Sequence, residues 1–330
     1  MAISIGTFNL NNLFSRFDFS GVAEDAAPPE DEEDAQAPIE ERRTFNFDQP
    51  GTFVLRTYLG RLVKGKDPAK RKQIADRLKA LDLDVVAVQE VEDIDTLKRF
   101  NTDDLGSLYP HVVLIEGNDP RMIDVGVLSK RPIGAVTSWQ HVPDPQPDEA
   151  DELLFSRDLL QVEILKSGGD RLLTLFVNHL KSQFVPFNKD PVVEKAKNDK
   201  RRRRQAEGAV KIIARTMRPN SRFAVLGDMN DVPDAPTLQP LADSQELHLV
   251  NGLAAAKENR PAPQESPPAP STPWTHRFKE SGKPASHELL DQIWLSPALE
   301  NDLTGAFIDR RKHLTGDGSD HDPAWVTLDL

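Results

Sequence analysis

The sequence contains no cysteine among its 330 residues, so disulfide bonds and thiolate metal sites are excluded. It has no run of about 18 or more apolar residues, so no membrane-spanning helix is expected. Residues 1–8 alternate in polarity like a β-strand and lack the basic and apolar regions of a secretory signal peptide. The absence of a visible signal predicts a cytoplasmic location, and no protein partner can be inferred.

The formal net charge of −12 argues against an anionic partner until its distribution is considered. Residues 24–41 contain nine acidic side chains and no basic ones, and removing these nine charges leaves −3. Residues 181–204 carry nine Lys or Arg against three acidic residues, a local charge of +6. Such segregation is expected of a protein whose electric field attracts an anionic substrate.

Three segments have the composition of surface loops. Residues 18–50 are acidic with few apolar side chains, residues 143–150 are rich in Pro and Asp, and residues 257–273 contain six prolines. These segments offer little apolar surface to bury. We therefore predict a single domain over residues 1–330, with an acidic loop insertion at about 18–50 and a Pro-rich loop at about 257–273.

Between these segments, predicted strands and helices alternate. Short apolar runs typical of strands occur at residues 85–88, 125–128, 172–177, 223–226, 292–295 and 324–328. Helical spacing of apolar residues is seen for Leu55, Leu59 and Leu62, for Ile74, Leu78 and Leu81, and across residues 201–217. This mixed pattern predicts an α/β fold in which two sheets pack together with helices outside.

Polar side chains recur where the predicted strands begin or end. An Asn or Asp at such a position usually makes a local turn, and a lone His is usually only hydrogen-bonded. Their repetition at seven strand termini instead predicts one shared rim, where carboxylates can bind Mg²⁺ and two histidines can exchange protons. The residues are Asn9, Gln89, Glu90, Asp124, Asn178, His179, Asp228, Asn230, Asp291, Asp320 and His321.

The order of these motifs resembles the endonuclease/exonuclease/phosphatase superfamily. The segments that carry the resemblance are Thr7-Phe8-Asn9, Val88-Gln89-Glu90, Val177-Asn178-His179-Leu180, Gly227-Asp228-Met229-Asn230, Leu290-Asp291-Gln292-Ile293 and Ser319-Asp320-His321-Asp322-Pro323. The resemblance implies the DNase I-like fold, a four-layer α/β sandwich of two packed mixed β-sheets flanked by helices. In motif style the chain is most similar to bacterial secreted-type nucleases, which are normally larger and exported.

The resemblance also implies a metal site. Glu90 matches the principal metal-binding carboxylate of the family, Asn9 lies beside it, and Asp320 matches a second carboxylate on the metal side. The implied cofactor is Mg²⁺, with Mn²⁺ or Ca²⁺ as alternatives.

Other matching positions imply catalytic roles. Asp228 and Asn230 resemble the pair that orients the attacking water and the scissile phosphate. His321 resembles the histidine that acts on the phosphate or the nucleophile, and Asp291 resembles the carboxylate that fixes its tautomer. Such groups suit phosphodiester hydrolysis, which needs a Lewis acid, an activated water and a proton for the departing oxygen.

His179 bears on the branch of the family. It resembles the histidine of DNase I that is proposed to protonate the leaving oxygen, and Asp124 resembles the acid that supports it. Abasic-site endonucleases of the superfamily usually lack a histidine here, so abasic-site repair is disfavoured. Which histidine is the acid and which is the base stays open.

Several basic or amide side chains are predicted to bind substrate. They are Arg157, Asn178, Lys181, Arg201 and Arg204, of which the last two lie in the run Lys200–Arg204. A charge run is commonly a solvated helix face, and contact with a phosphate backbone is the functional alternative. No interleaved aromatic residues indicate stacking on single strands.

The leading hypothesis is a Mg²⁺-dependent phosphodiester hydrolase, most simply a non-specific endonuclease acting on DNA or RNA. The alternative is a phosphatase, or a lipid phosphodiesterase of the sphingomyelinase or inositol-phosphate type, on the same scaffold. The sequence shows no exposed aromatic hairpin of the kind that sphingomyelinase-type relatives use to reach membranes. A catalytically inactive binding module is disfavoured because no motif residue is replaced.

Overall fold

The computed structural model describes residues 2–15, 46–47, 53–54, 65–147, 152–186, 188–218 and 220–330. Two compact units are formed, one by residues 1–13 with 67–330 and one by residues 14–66. In the smaller unit two short strands pair antiparallel, and Lys66 N donates to Phe14 O. The acidic segment and the predicted helix with Leu55, Leu59 and Leu62 lie outside the described residues. The organisation as a single domain stays a prediction.

The strands, in chain order, are β1 (Ala2–Leu13), β2 (Asn46–Phe47), β3 (Phe53–Val54), β4 (Val85–Val91), β5 (His111–Leu114), β6 (Asp124–Ser129), β7 (Ile133–Ser138), β8 (Leu159–Leu165), β9 (Arg171–His179), β10 (Phe223–Asp228), β11 (Val250–Asn251), β12 (Lys257–Glu258), β13 (His276–Lys279), β14 (Ala285–Glu288), β15 (Asp291–Leu295), β16 (Leu303–Ile308) and β17 (Ala324–Asp329). All six predicted strands are present.

The helices are α1 (Pro68–Leu81), α2 (Ile94–Arg99), α3 (Pro191–Thr216), α4 (Gln239–Ala242) and α5 (Pro297–Glu300), with a π-helical turn at Phe100–Asp104 after α2. Within the part of the chain that the structure describes, no helix is both long enough and apolar enough to cross a membrane.

The strands of the larger unit form two mixed sheets and one hairpin. The first sheet has the order β12-β16-β17-β1-β4-β6-β5 and the second the order β11-β15-β10-β9-β8-β7, while β13 and β14 pair separately. One apolar cluster fills the space between the two sheets, and two further clusters lie on their outer faces beneath the helices. This arrangement confirms the predicted α/β fold, a DNase I-like four-layer sandwich.

Alternation along the central strands explains why their sequences are apolar throughout. In β4, Val85 and Ala87 belong to the cluster between the sheets, whereas Val86 and Val88 belong to the outer cluster. Successive side chains of a strand point to opposite faces, so a strand covered on both sides needs an unbroken apolar run.

The two long helices begin at an Asp-Pro pair. Asp67 accepts hydrogen bonds from two backbone N–H groups of α1, and Asp190 does the same for α3. Proline suits the first helical position because its missing N–H would have no partner there. The predicted helix over residues 201–217 is shorter than α3, which begins at Pro191. The first turns of α3 expose Val192 and Val193 and carry no amphipathic pattern from which a helix could be predicted.

Strand direction brings the predicted rim residues together. Strands β1 and β4 are parallel, and so are β9 and β10, so their carboxyl ends meet at one edge of each sheet. Strands β6, β15 and β17 run antiparallel to these and begin at the same edge. Polar residues that end one set of strands and begin the other are thus gathered on one side of the sandwich.

Candidate active site

Asp228 is the central carboxylate of the site. At the end of β10 it is paired across the sheet with His179 of β9 on one side and with Asp291 of β15 on the other. Its Oδ2 lies 3.5 Å from Nε2 of His179 and 3.9 Å from Nε2 of His321. One carboxylate therefore faces both histidines.

Gly227 makes this arrangement possible. Its backbone has φ of 140°, and a Cβ at this position would lie 1.9 Å from the carbonyl oxygen of Asn178. A side chain cannot be accommodated there without moving the backbone of the neighbouring strand. The glycine before Asp228 is thus required by the close approach of β9 to β10.

Asn9 connects the central carboxylate to the predicted metal ligand. Its Nδ2 donates to Asp228 Oδ2 at 2.9 Å and to Glu90 Oε1 at 3.2 Å. Its Oδ1 accepts from Asn11 N at 2.9 Å. The other oxygen of Glu90 accepts from Asn12 N at 2.9 Å. In this arrangement Asn9 orients the two carboxylates, and its role as a metal ligand stays a prediction.

The backbone around these residues adopts an uncommon conformation. Positive φ values occur at Asn11 (49°), Asn12 (58°), Glu90 (60°) and Asn230 (54°). The pairing of β1 with β4, and of β4 with β6, shifts register in the same region. Non-glycine residues with positive φ and irregular strand ends are concentrated at functional sites, because surrounding contacts must hold them there.

His321 is held by a carboxylate on its far side. Its Nδ1 lies 2.6 Å from Asp291 Oδ2, which leaves Nε2 turned toward Asp228. Burial alone would lower the pKa of His321, but the charges of Asp291, Asp228 and Asp320 outweigh it and raise the pKa well above its usual value. These carboxylates therefore favour the protonated form of His321. Asp291 has the orienting position that was predicted for it.

His179 is in the opposite situation. Burial, assisted by the positive charge of Arg157, holds the pKa of His179 well below its usual value. Its Nδ1 is buried and has no hydrogen-bond partner among the described residues. The predicted support by Asp124 is wrong, because Asp124 Oδ1 instead accepts from Gly117 N at 2.8 Å. Burial raises the pKa of Asp124 to about 7.

The acidic groups of the site fit a divalent cation. Burial and the nearby charge of Asp320 raise the pKa of Glu90, and burial raises the pKa of Asp228. Partial desolvation would raise the pKa of Asp320 too, but hydrogen bonds and charges from His276, His321 and Asn11 hold it well below its usual value. Carboxylates that repel one another in this way are suited to share a hard cation. Glu90 and Asp320 are the residues that would hold it.

Two side chains beside Asp320 were not predicted. Asn11 Nδ2 donates to Asp320 Oδ1, and His276 Nε2 lies 3.7 Å from Asp320 Oδ2. His276 starts the β13 hairpin and its ring centroid lies 4.7 Å from that of His321. Asn11 could have been noticed as a polar residue in an otherwise strand-like N-terminus. His276 follows the Pro-rich segment and no pattern in the sequence points to it.

A positively charged group borders the site on the side of His179. Arg157 is buried, with Nε 3.0 Å from Asp119 Oδ2 and Nη1 donating to Leu180 O at 3.1 Å. Arg121 binds the same carboxylate through Nε and Nη2 and is 53% exposed. Lys181 follows Leu180, and burial together with the charges of Arg157 and Arg121 lowers the pKa of Lys181. We call Arg121, Arg157 and Lys181 the cationic cluster. Asp119 is bound by both arginines of this cluster.

The cationic cluster is also close enough to influence the acidic side of the site. The charge of Glu90 acts on both Arg121 and Arg157, and the charge of Asp228 acts on Arg157. Arg121 was missed by the sequence analysis, since it lies in a loop without periodicity. Arg157 and Lys181 were predicted and lie in this cluster.

Three predicted substrate-binding residues are engaged elsewhere. Arg204 is buried and its Nε lies 2.9 Å from Asp144 Oδ2, and Arg201 is paired with Glu152. Asn178 is 1% exposed, and its Nδ2 donates to Leu226 O at 3.4 Å. These side chains are held by other protein groups, and their contact with a substrate stays a prediction. The run Lys200–Arg204 is mainly a set of ion pairs that attach α3 to the loops around it.

The remaining predicted partner of the central carboxylate is Asn230. Its backbone N donates to Asp228 Oδ1 at 2.9 Å, and its Nδ2 donates to Leu180 O at 3.1 Å. Leu180 O thus accepts from both Asn230 and Arg157, which fixes the backbone just before Lys181. The site therefore combines two histidines whose pKa values are shifted in opposite directions, two carboxylates that would hold a cation, and a positively charged border. Such a set is suited to hydrolysis of a phosphoric ester.

Comparison with known proteins agrees with this chemistry. A model of the Endonuclease/Exonuclease/phosphatase family matches residues 6–321. The endonuclease/exonuclease/phosphatase from Bacteroides vulgatus aligns over 100% of this chain and 99% of its own, with 12% identity and a TM-score of 0.56. An AP endonuclease from Archaeoglobus fulgidus aligns over 79% and 95%, with 17% identity and a TM-score of 0.51.

D. rerio TDP2, complexed with single strand DNA product, aligns over 100% of this chain and 99% of its own, with 15% identity and a TM-score of 0.52. At these identities the likeness to solved structures concerns the fold alone. No curated protein matches the sequence.

Proposed function

Because this chain belongs to the Endonuclease/Exonuclease/phosphatase family of metal-dependent phosphoric ester hydrolases, we propose that it hydrolyses phosphodiester bonds with Mg²⁺ and that its substrate is nucleic acid. The observation that carries the proposal is the position of Asp228 between two histidines whose pKa values are shifted in opposite directions, with Glu90 joined to it through Asn9.

The protein groups divide the reaction between them. Glu90 and Asp320 would hold a divalent cation, which would act as a Lewis acid toward the phosphate oxygens. Asp228, whose Oδ1 is held by Asn230 N, orients the attacking water together with neutral His179. His321 holds a proton at Nε2 that the phosphate or the departing oxygen can receive, while Asp291 keeps its ring in place. We therefore assign the acid to His321, a choice that the sequence left open.

The cationic cluster supports a polyanionic substrate. One phosphate at Asp228 needs little more than the cation and His321, yet Arg121 and Lys181 add positive charge beside it. A nucleic acid strand carries further phosphates on both sides of the scissile bond, which such a border can contact. Among proteins of this fold, the A. fulgidus protein is an AP endonuclease and D. rerio TDP2 binds a single strand DNA product.

A lipid phosphodiesterase is the second candidate, because two exposed aromatic residues flank the site. Phe278 lies on the β13 hairpin two residues after His276 and is 55% exposed. Phe184, in the segment after Lys181, is 68% exposed. The prediction that no aromatic hairpin is exposed was therefore wrong. The cationic border nevertheless disfavours lipids with a cationic head group.

We expect cleavage of plasmid DNA, RNA and bis-p-nitrophenyl phosphate in Mg²⁺ or Mn²⁺, and slow cleavage of p-nitrophenyl phosphate or of sphingomyelin vesicles. His179→Ala and His321→Ala should each reduce diester cleavage by about 100-fold or more, the usual range for loss of a general acid or base. His111→Ala is the matched control, because His111 pairs with Ser129 at the opposite end of β6 from the site.

Cleavage of the monoester alone would contradict the assignment as a phosphodiesterase. Vesicle hydrolysis without nucleic acid hydrolysis would favour the lipid candidate. Diester cleavage that survives His321→Ala would contradict the proposed mechanism.

A further inference from the structure

A second group of metal-binding atoms lies beside the carboxylates already described. His276, Asp320 and His321 each offer one ligand atom, and the three atoms lie within 4.8 Å of one another. The two imidazole rings are 4.7 Å apart between centroids. Asp320 is half-exposed, with 49% of its side chain accessible, so a dissolved ion can reach the group.

The backbone holds these three residues together. His276 forms an isolated antiparallel bridge with His321, and Asp322 N donates to Thr275 O at 2.7 Å. Arg311 Nη2 donates to Asp320 O at 2.7 Å and to Thr275 O at 3.4 Å. The segment before β13 and the segment before β17 are thus tied at several points. The group does not depend on chance approach of flexible side chains.

The hydrogen bonds of these three side chains leave atoms available to bind a metal ion. His321 Nδ1 is bonded to Asp291, which is the partner that usually orients a metal-bound imidazole, and Nε2 is left for a ligand. His276 Nδ1 is buried without a hydrogen-bond partner among the described residues. Asp320 Oδ1 accepts from Asn11, and Oδ2 faces His276.

The donor set differs from the one that suits Mg²⁺. Mg²⁺ prefers oxygen ligands, as at Glu90 and Asp320, whereas two imidazoles and one carboxylate suit Zn²⁺ or Co²⁺ with a water in the fourth position. Ligand atoms around tetrahedral Zn²⁺ lie about 3.3 Å apart, so the group must contract by about 1.5 Å at most to bind the ion.

We propose that His276, Asp320 and His321 form a Zn²⁺-binding site whose occupation inhibits the hydrolase. The inhibition rests on the proposed function, whereas the binding does not. Zn²⁺ at this site takes Nε2 of His321, which otherwise lies 3.9 Å from Asp228 Oδ2 in the active site, and takes Asp320 from the Mg²⁺ site.

Binding is tested with the metal alone. Isothermal titration of the full chain with Zn²⁺ in Mg²⁺-containing buffer should give one strong site, and Co²⁺ should produce visible absorption bands of low-symmetry coordination. His276→Ala and the size-conserving His276→Gln should each weaken Zn²⁺ binding by about 10-fold or more and remove the Co²⁺ bands. His111→Ala should behave as wild type. Thermal melts in EDTA show whether either His276 variant fails to fold. If one fails, the Zn²⁺ affinity of the other variant decides the test.

Inhibition is tested in the diester assay, with each variant's rate in Mg²⁺ alone as its own reference. Zn²⁺ should inhibit the wild type, and the concentration for half-inhibition should rise in the His276 variants by the same factor as the dissociation constant. Unchanged Zn²⁺ affinity in both folded variants would overturn the site. Weakened binding with unchanged half-inhibition would overturn the inhibitory role. A wild type that binds Zn²⁺ but cleaves no diester would contradict the proposed function and leave the metal site supported.

Discussion

At the scale of single residues, the two histidines show how neighbours decide charge. The pKa of His321, which faces three carboxylates, is raised well above its usual value, whereas burial beside Arg157 holds the pKa of His179 well below its usual value. Hydrolysis of a phosphoric ester needs both a proton donor and a proton acceptor near the same atom. Identical side chains can therefore take opposite roles, and only the three-dimensional neighbourhood assigns them.

The same scale shows where sequence patterns succeed. The rim residues were predictable because each sits at the end of a recognisable apolar strand, as Asp228 does after β10. His276 and Arg121 were not, since they lie in segments without periodicity whose position depends on packing. The burial of Asn178 and Arg204 was not predictable either, because the sequence does not show which polar side chains pack inside the protein.

A residue-scale prediction concerns Asp124, whose pKa is raised to about 7 by burial. The unfolded chain has the ordinary value of about 3.9, so the folded protein binds an extra proton between these pH values. The contribution of Asp124 to stability is complete below about pH 4 and is lost as the pH rises through 7. Asp124→Asn should therefore gain stability relative to wild type as pH rises, by on the order of 4 kcal/mol at most.

Urea denaturation of both proteins at pH 5 and pH 8 measures this difference. Asp76→Asn, on an exposed part of α1, is the matched control and should give a small, nearly constant difference. A difference for Asp124→Asn that does not grow with pH would show that the carboxyl is already ionised in the folded protein at pH 5.

At the scale of secondary-structure elements, the site is a product of strand direction. Parallel pairing of β9 with β10 puts His179 beside Asp228, and antiparallel pairing with β15 puts Asp291 on the other side. The apolar runs predicted these strands well. The pairing of elements far apart in sequence could be inferred only through the family resemblance, because periodicity carries no information about neighbours.

An element-scale prediction concerns Gly227, where β9 and β10 approach most closely. Gly227→Ala would put a Cβ 1.9 Å from the carbonyl oxygen of Asn178 and would also impose a positive φ of 140° on alanine. The Cβ would clash with backbone atoms of the neighbouring strand, so the clash can be relieved only by separating two central strands. We expect a loss of about 3 kcal/mol or more in the free energy of unfolding.

The matched control is Gly168→Ala, in the turn between β8 and β9, where a Cβ would meet nothing within 4 Å. This variant should change stability by less than about 1 kcal/mol. Urea denaturation of both variants decides the matter. If Gly227→Ala is as stable as Gly168→Ala, the close approach of the two strands is not a requirement of the fold.

At the scale of the whole molecule, net charge is a poor guide to what the protein binds. The chain carries −12, yet the cationic cluster of Arg121, Arg157 and Lys181 borders the site. The sequence indicated the segregation of charge and left open whether Lys200–Arg204 is a solvated helix face or a phosphate contact. Side chains of that run form ion pairs within the protein, such as Arg204 with Asp144. No sequence pattern predicts these ion pairs.

The cationic cluster leads to a prediction for DNA binding at the level of the whole protein. Lys181→Ala should weaken binding of a single-stranded oligonucleotide and reduce the slope of log affinity against log salt by about 0.7, the value for one lost phosphate contact. The control, Lys166→Ala, removes the same charge at the opposite end of β9 and should leave the slope unchanged, although both variants alter the net charge equally. Fluorescence anisotropy in EDTA, measured between about 50 and 200 mM salt, distinguishes a direct phosphate contact of Lys181 from an effect of the overall charge. Equal slopes for the two variants would mean that Lys181 acts only through the overall field, and the nucleic acid would then have to follow another path across the rim.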